Sequence, residues 1–276
     1  MFLSWVNRLI LPIAMAGSMP AHADMISVQG TYLLPETMSK AACYRKAILQ
    51  AKQNAVREVV GERLSNEMLE VCEETEQQKS CRLFQQTLSW FDDGYLASME
   101  YDRSQNRIVT HDGFEECLVQ ITAEVKSFKS KPDPLFGLSA EIIGPRRKRH
   151  GEAMVIVGET TQDAHLSLLG WYPELDSEHF YKIIPNEYDA PAKANGKFIF
   201  PTGDASGSYE LFANWDSSYE EGELNEASEV MLVLATKKDF PLLEVEPASS
   251  FYKRLDELGR ENWKIAKLTY FVMGND

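Results

Sequence analysis

Between Ala164 and Phe240 the chain alternates short apolar runs with turn residues: HLSLLGWY, HFYKIIPN, KFIFP, SYELFANW and EVMLVLAT are separated by Pro, Gly, Asn and Asp. Such spacing predicts antiparallel strands joined by turns. The pattern begins at Ala153 to Val157, where Met154 and Ile156 share one face. In the next strand Leu166 and Leu168 take one face and His165, Ser167 and Leu169 the other, as a period of two requires. Phe180 to Ile184 runs into Pro185-Asn186-Glu187-Tyr188, a turn by composition. Lys197 to Pro201, Ser208 to Trp215 and Glu229 to Thr236 complete a set expected for a β-sandwich or open barrel. Beyond it, Phe251, Leu255 and Leu258 mark a helix over Ser249 to Arg260, and Trp263 to Met273 alternates as a last strand.

The first half reads differently. Met25 to Gly30 is a short strand that Gly30 closes, and Ser39 caps a helix whose Cys43, Ala47, Ala51 and Ala55 recur every fourth residue. A small-residue stripe of this kind lets a helix backbone lie close against a sheet. Gly61 suits its C-terminus, and a second helix is predicted from about Thr75 to Leu88, with Cys81, Phe84 and Leu88 inward. Tyr95 to Tyr101 and Arg107 to His111 flank Ser104-Gln105-Asn106 as a hairpin, and Phe114 to Val125 alternates with Cys117, Val119, Ile121, Ala123 and Val125 on one face. Lys131-Pro132-Asp133-Pro134 and Gly144-Pro145 suggest a boundary. The expected layout is an α+β N-terminal domain over residues 24–130, a Pro-rich and basic linker over 131–150, and a mainly-β, Ig-like sandwich over 151–276.

The chain has 276 residues, 44% apolar and 25% charged, enough for two domains with cores. Its formal charge of -14 repels nucleic acid and anionic lipid, whose capture needs clustered Lys and Arg. The N-terminus reads as a signal peptide: Arg8, an apolar core from Leu9 to Ala16 too short to span a bilayer, and the Ala21-His22-Ala23 cleavage site. The mature chain should start at Asp24 and reside in the periplasm, with no transmembrane segment. Export makes disulfides the default for the four cysteines, Cys43, Cys72, Cys81 and Cys117. They allow three pairings, and spacing alone selects none. Position favours Cys43 to Cys117, helix stripe to sheet face, with Cys72 to Cys81 as a local bridge.

Two resemblances add to this. The strand, the helix with Ala47, Ala51 and Ala55 ending in Val59-Val60-Gly61, a second helix and the strand Cys117 to Val125 resemble the N-terminal domain of the flagellar assembly protein T family, over roughly residues 25–128. The succession from Asp163 to Trp171, then Ile184-Pro185-Asn186, Phe198-Ile199-Phe200-Pro201, Tyr209 to Phe212 and Leu232 to Lys238 is similar to an uncharacterised bacterial β-sandwich domain. That domain recurs in exported proteins and beside genes for curli-type channels, and the match covers about residues 150–245. Together the resemblances imply a non-catalytic adaptor that binds other envelope or outer-membrane proteins.

Candidate chemistry is sparse. Beyond the leader the histidines are His111, His150, His165 and His179, and no G-x-S-x-G elbow accompanies them. No C-x-x-C or His/Cys spacing suggests a metal, Asp102, Ser104, Asn106 and Asp112 lack the EF-hand order, and Asp92-Asp93 before Gly94 reads as a turn. Neither enzyme activity nor a cofactor is expected. Arg146, Arg147 and Arg149, with Lys148 between them, offer either a contact for an acidic partner or a solvated linker. Trp171, Tyr172, Asn186 and Tyr188, at expected strand ends, are the candidate partner-binding residues, for an envelope protein or, alternatively, for peptidoglycan or another glycan. The tryptophans fit a sandwich core equally well. Amino-terminal sequencing of the exported protein is expected to read Asp24-Met25-Ile26-Ser27; retention of Met1 would remove the leader.

Overall fold

The computed structural model describes residues 25–36, 38–60, 94–111, 113–189, 192–203, 207–221 and 226–274. The expected leader, the helix over 75–88, the Cys72 to Cys81 bridge, Asp92-Asp93 and Asp112 lie outside these residues. Among the described residues the fold is mostly β, with three sheets. In the four-stranded sheet, β1 (Met25–Leu33) and β4 (Phe114–Ser127) pair antiparallel, and α1 (Lys40–Val60) covers them. Ser39 caps α1 through its Oγ, which accepts from Ala42 N at 3.2 Å. Cys43, Ala47, Ala51 and Ala55 are wholly buried against Val119, Ile121 and Ala123, so the small-residue stripe does hold the helix against the sheet.

Gly30 does not end its strand but lies in the middle of β1, under the helix. A Cβ there would sit 2.0 Å from Ala47 O and 2.5 Å from Ala51 N. The helix backbone therefore rests directly on a residue without a side chain. Beside this contact Cys43 and Cys117 form the expected disulfide, with Cα atoms 6.0 Å apart and a sequence separation of 74.

The hairpin expected around Ser104 is replaced by a jog. Both β2 (Gly94–Tyr101) and β3 (Arg107–His111) pair with β4, Tyr101 opposite Ile121 and Arg107 opposite Leu118. The Asp102 carboxylate accepts from Ser104 N at 2.9 Å and caps a short 3₁₀ turn that carries the chain forward along the same edge. The reversal comes later, where His111 pairs with Phe114.

The large sheet has eight strands. Its main order is β13 (Val245–Pro247), β9 (Asp176–Ile184), β8 (Ile156–Tyr172), β12 (Glu226–Thr236), β14 (Trp263–Met273) and β6 (Arg147–Arg149). The first half of β8 also carries β5 (Leu138–Ile142) and β10 (Ala192–Phe200). A third, two-stranded sheet pairs β7 (Ala153–Met154) with β11 (Leu211–Phe212). Strand β8 is thus one continuous element where the sequence suggested two. Polar residues at Glu159, Thr160 and Thr161 interrupt its apolar pattern, and the ladder to β10 shifts register between Ala194 and Gly196, but the strand itself runs on unbroken.

Strand β12 is buried on both faces. Met231, Val233 and Ala235 enter a core with Ile156, Leu166, Leu168, Phe200 and Leu268. Val230, Leu232 and Leu234 face Phe251, Tyr252 and Leu255 of α3 (Ala248–Leu258), the predicted terminal helix. Tyr95 of β2 and Phe128 reach into this second core, where Phe128 meets Trp263 edge-on with ring centroids 5.2 Å apart. The small sheet therefore leans on α3. It is also tied at its helix, where Lys52 Nζ donates to Ser177 Oγ at 2.9 Å and pairs with Glu178, and Lys46 lies 3.7 Å from Glu174.

The segment expected as a linker enters the large sheet. Residues 138–142 are β5, Phe136 is buried in the core, and Asp133 is pinned by Lys237, whose hydrogen bond holds that carboxyl down at about 2. Residues 147–149 run parallel to β14 as β6.

Two substitutions test the helix-to-sheet contact. Gly30→Ala should lower the unfolding free energy by about 3 kcal/mol, since the helix must move off the sheet. Replacing both Cys43 and Cys117 by Ala should lower it by about 4 kcal/mol, from the loop-closure entropy of so long a span. Denaturant midpoints of the oxidised protein measure both; a Gly30→Ala variant as stable as the parent would show that the helix does not rest there.

Candidate functional site

The first half of β8 has the simple alternation of a half-covered strand. Ile156 and Thr160 point into the core, while Val155, Val157 and Glu159 point out. Its neighbours keep the same parity. On one side Glu141 is opposite Val157 and Ile143 N donates to Val155 O at 2.8 Å; on the other Ile199 is opposite Val157 and Lys197 opposite Glu159. At the end of the strand Phe212 of β11 faces outward opposite Ala153.

The result is an apolar stripe along the outer face of the large sheet, continued by Phe212 of the two-stranded sheet. Ile143 is 49% exposed, Val155 36%, Ile199 44% and Phe212 49%, with half-buried Val157 between them. The stripe runs into a shallow cleft of about 570 Å³ lined by Ser139, Glu141, Val157, Glu159, Lys197 and Phe198. The floor is fixed by Gly158, where a Cβ would meet the Phe198 ring and Ser139 O, each at 2.3 Å. Scattered exposed apolar residues are ordinary on a protein surface, but contiguous ones on one sheet face mark contact sites.

The residues singled out from sequence do not gather here. Trp171 is buried, 3% exposed, between the sheet and α3, edge-on to Phe180 at 6.2 Å; it packs the core and presents no contact surface. Tyr172 folds back over Gly170 against Tyr181, and burial pushes its phenol up to about 12. Asn186 builds the turn itself: its Oδ1 accepts from Tyr188 N and Asp189 N, both at 2.8 Å, and its amide donates to Ile183 O. Only Tyr188 of this group is well exposed, at 53%, stacked on Tyr209. Its loop is held by buried Asp189, which accepts from Thr202 N, Thr202 Oγ1 and Tyr209 Oη within 3.0 Å.

The basic run is also in use. Arg146 O accepts from Phe271 N, Arg147 pairs with Glu226 at 2.9 Å, and Lys148 is buried and pairs with Glu152. Arg149 is exposed, with its backbone N–H donating to Glu152. These residues are neither a solvated linker nor one undivided cationic patch, because the strand alternation sends Lys148 inward and its neighbours outward.

A buried polar cluster, which the sequence did not reveal, closes one end of the core. Glu229 of β12 is 1% exposed; Tyr219 of α2 (Ser217–Glu221) donates to its Oε1 at 3.0 Å and Tyr270 of β14 donates to its Oε2. Nearby, Glu174 in the β8–β9 turn accepts from Ser228 N at 3.3 Å, while its Oε2 and Trp215 Nε1 are buried without a hydrogen-bond partner among the described residues. Burial pushes the Glu229 carboxyl up to about 7, reinforced by the charges of Asp216 and Glu174 and opposed by the two phenol donors. The same burial pushes the phenols of Tyr219 and Tyr270 up.

Other chemistry is limited. His179 Nδ1 lies 2.8 Å from Asp176 Oδ2, which also accepts from Tyr181 Oη, but the hydroxyl of adjacent Ser177 is taken by Lys52. Among the described residues no three His, Cys, Asp or Glu side chains gather closely enough to hold a metal ion, and no helix is long and apolar enough to cross a membrane. No protein-family model matches the chain, and no curated protein matches it in sequence.

Glu229 gives the fold a pH dependence of definite sign. Between its ordinary value of 4.5 and about 7 the folded protein keeps a proton that the unfolded chain has lost. Stability from this group is therefore full below about pH 4.5 and falls as pH rises to 7, by about 3 kcal/mol in all. Glu229→Gln, neutral at every pH, should raise the denaturant midpoint at pH 8 relative to the parent and leave that at pH 5 nearly unchanged. Equal destabilisation at both values would contradict the assignment.

Proposed function

We propose that the chain is an exported, non-catalytic accessory protein that binds other envelope or outer-membrane proteins during assembly of a secretion, flagellar or curli-type machine. In this reading residues 24–130 act as an α+β module and residues 151–276 as an Ig-like sandwich module. The observation that carries it is the outward apolar stripe of Ile143, Val155, Val157, Ile199 and Phe212, which stands outside a core already filled by other buried apolar residues. The leader-like N-terminus, the two family resemblances and the Cys43–Cys117 bridge, at home in an oxidising compartment, support the same reading.

A second reading, a peptidoglycan or other glycan binder, draws on Tyr188. An exposed ring on a loop held by a buried carboxylate is suited to stacking on a sugar face.

Photo-crosslinking residues placed at Val155 and Ile199 separate the two. The accessory reading expects protein adducts of defined mass in intact envelopes from both positions, with sacculus binding unaffected by Tyr188→Ala. Absence of adducts together with sacculus binding that Tyr188→Ala abolishes would establish the glycan reading instead.

A further inference from the structure

We propose that the outer face of β5, β8 and β10 seats an amphipathic helix of a partner protein, its apolar stripe flanked by Lys or Arg. The proposal deepens the protein-binding reading above and rests on it.

The shape of the face selects a helix. Three strands at the usual spacing of about 4.8 Å span roughly 10 Å, the diameter of a helix with its side chains. Val157 lies at the centre of this width, with Ile199 beside it and Val155 and Ile143 in the next row. An extended segment would dock by adding to a sheet edge, but β10, which pairs only with β8 among the described strands, has an edge unsuited to it. Lys193 and Lys197 are exposed there, and the register breaks between Ala194 and Gly196. Charged side chains and bulges are what keep sheet edges from pairing.

Charge selects the flank. Glu141 and Glu159 border the cleft on the β5 and β8 side, and neither has an ion-pair partner within 4.0 Å among the described residues. Lys197, opposite Glu159 in register, offsets part of this charge, and the remaining surplus of one carboxylate beside an apolar strip favours a cation on the incoming surface. The formal charge of -14 opposes both a second copy of this chain and an anionic lipid surface.

The test uses the full-length, oxidised protein and a synthetic helical peptide of about five turns with Leu at helical spacing and Lys along the one flank that meets Glu141 and Glu159. Methyl chemical-shift mapping should show saturable changes at Ile143, Val155, Val157 and Ile199. A peptide with Glu in place of Lys should bind at least about tenfold more weakly. Val157→Asp and Ile199→Asp, at positions where the outer face is open, should remove the changes; Glu159→Lys, fully on the surface, should weaken Lys-peptide binding and improve Glu-peptide binding. Changes centred elsewhere, equal binding of both peptides, or a response only to phosphatidylglycerol vesicles would overturn the proposal, as would the same methyl shifts arising from self-association on concentration. If envelope crosslinks at Val155 and Ile199 persist while the Lys peptide fails to bind, the helix is the wrong partner class and the protein-binding reading survives. If both fail, both readings fall.

Discussion

The fold depends on a strand that has no solvent side. Antiparallel sheets usually keep one face wet, so their strands alternate apolar and polar residues. Residues 227–236 in β12 are buried without a break, and the strand therefore needs a cover on each face. One cover is α3 with Tyr95 and Phe128 brought from the small sheet. The other is the first half of β8, with β5 and β10 attached, turned over β12 and β14. Neither cover is local in sequence. The length of β8 follows from this demand, since a single strand must pair with β12 at one end and close over it with the other. Leu166, opposite both Ala192 and Ala235, sits where the two duties overlap.

What could be read from sequence was whatever rests on one repeating contact. The stripe of Cys43, Ala47, Ala51 and Ala55 foretold the helix-to-sheet layer and its disulfide, because residue size at a fixed period records how closely a helix approaches. The last helix and strand were equally clear, their stripes being unmixed. Strands β5 and β6 were not, since they are short edge elements whose Arg, Lys and Pro surroundings match the composition of a loop; burial of Lys148 depends on Glu152 and on register, which composition does not carry. Gly30 was misread for a related reason. A glycine that ends a strand and a glycine over which a helix crosses are identical in sequence. The apolar outer stripe escaped notice because Ile143, Val155 and Ile199 come from three separated segments and align only once register is known. Trp171 shows the converse, an aromatic beside a turn that is conspicuous in sequence and hidden in the fold.

The acidic surplus of the chain is put to structural use at the β8–β9 hairpin. Glu174 faces Lys46, Glu178 faces Lys52 and Asp176 gathers His179 and Tyr181, so one turn joins the helix of the small sheet to the large one. Lys52 is itself buried, which makes this junction more than a surface ion pair; removing its partners would strand a cation away from water.

The parallel strand β6 bears on how the large sheet ends. An edge strand beside β14 would ordinarily offer its unpaired amides and carbonyls to any extended chain that drifted past. Here that rim is three residues long, carries Arg147 and Arg149 outward, and is closed by the turn at Gly151. A neighbouring copy seeking to continue the sheet would have to lay its own backbone against two guanidinium groups over a strip too short to repay the ordering of a new strand. The positive run thus works as a guard against fibre-like stacking, and it lets an exceptionally apolar strand such as β12 lie two positions inward without becoming the seed of an aggregate.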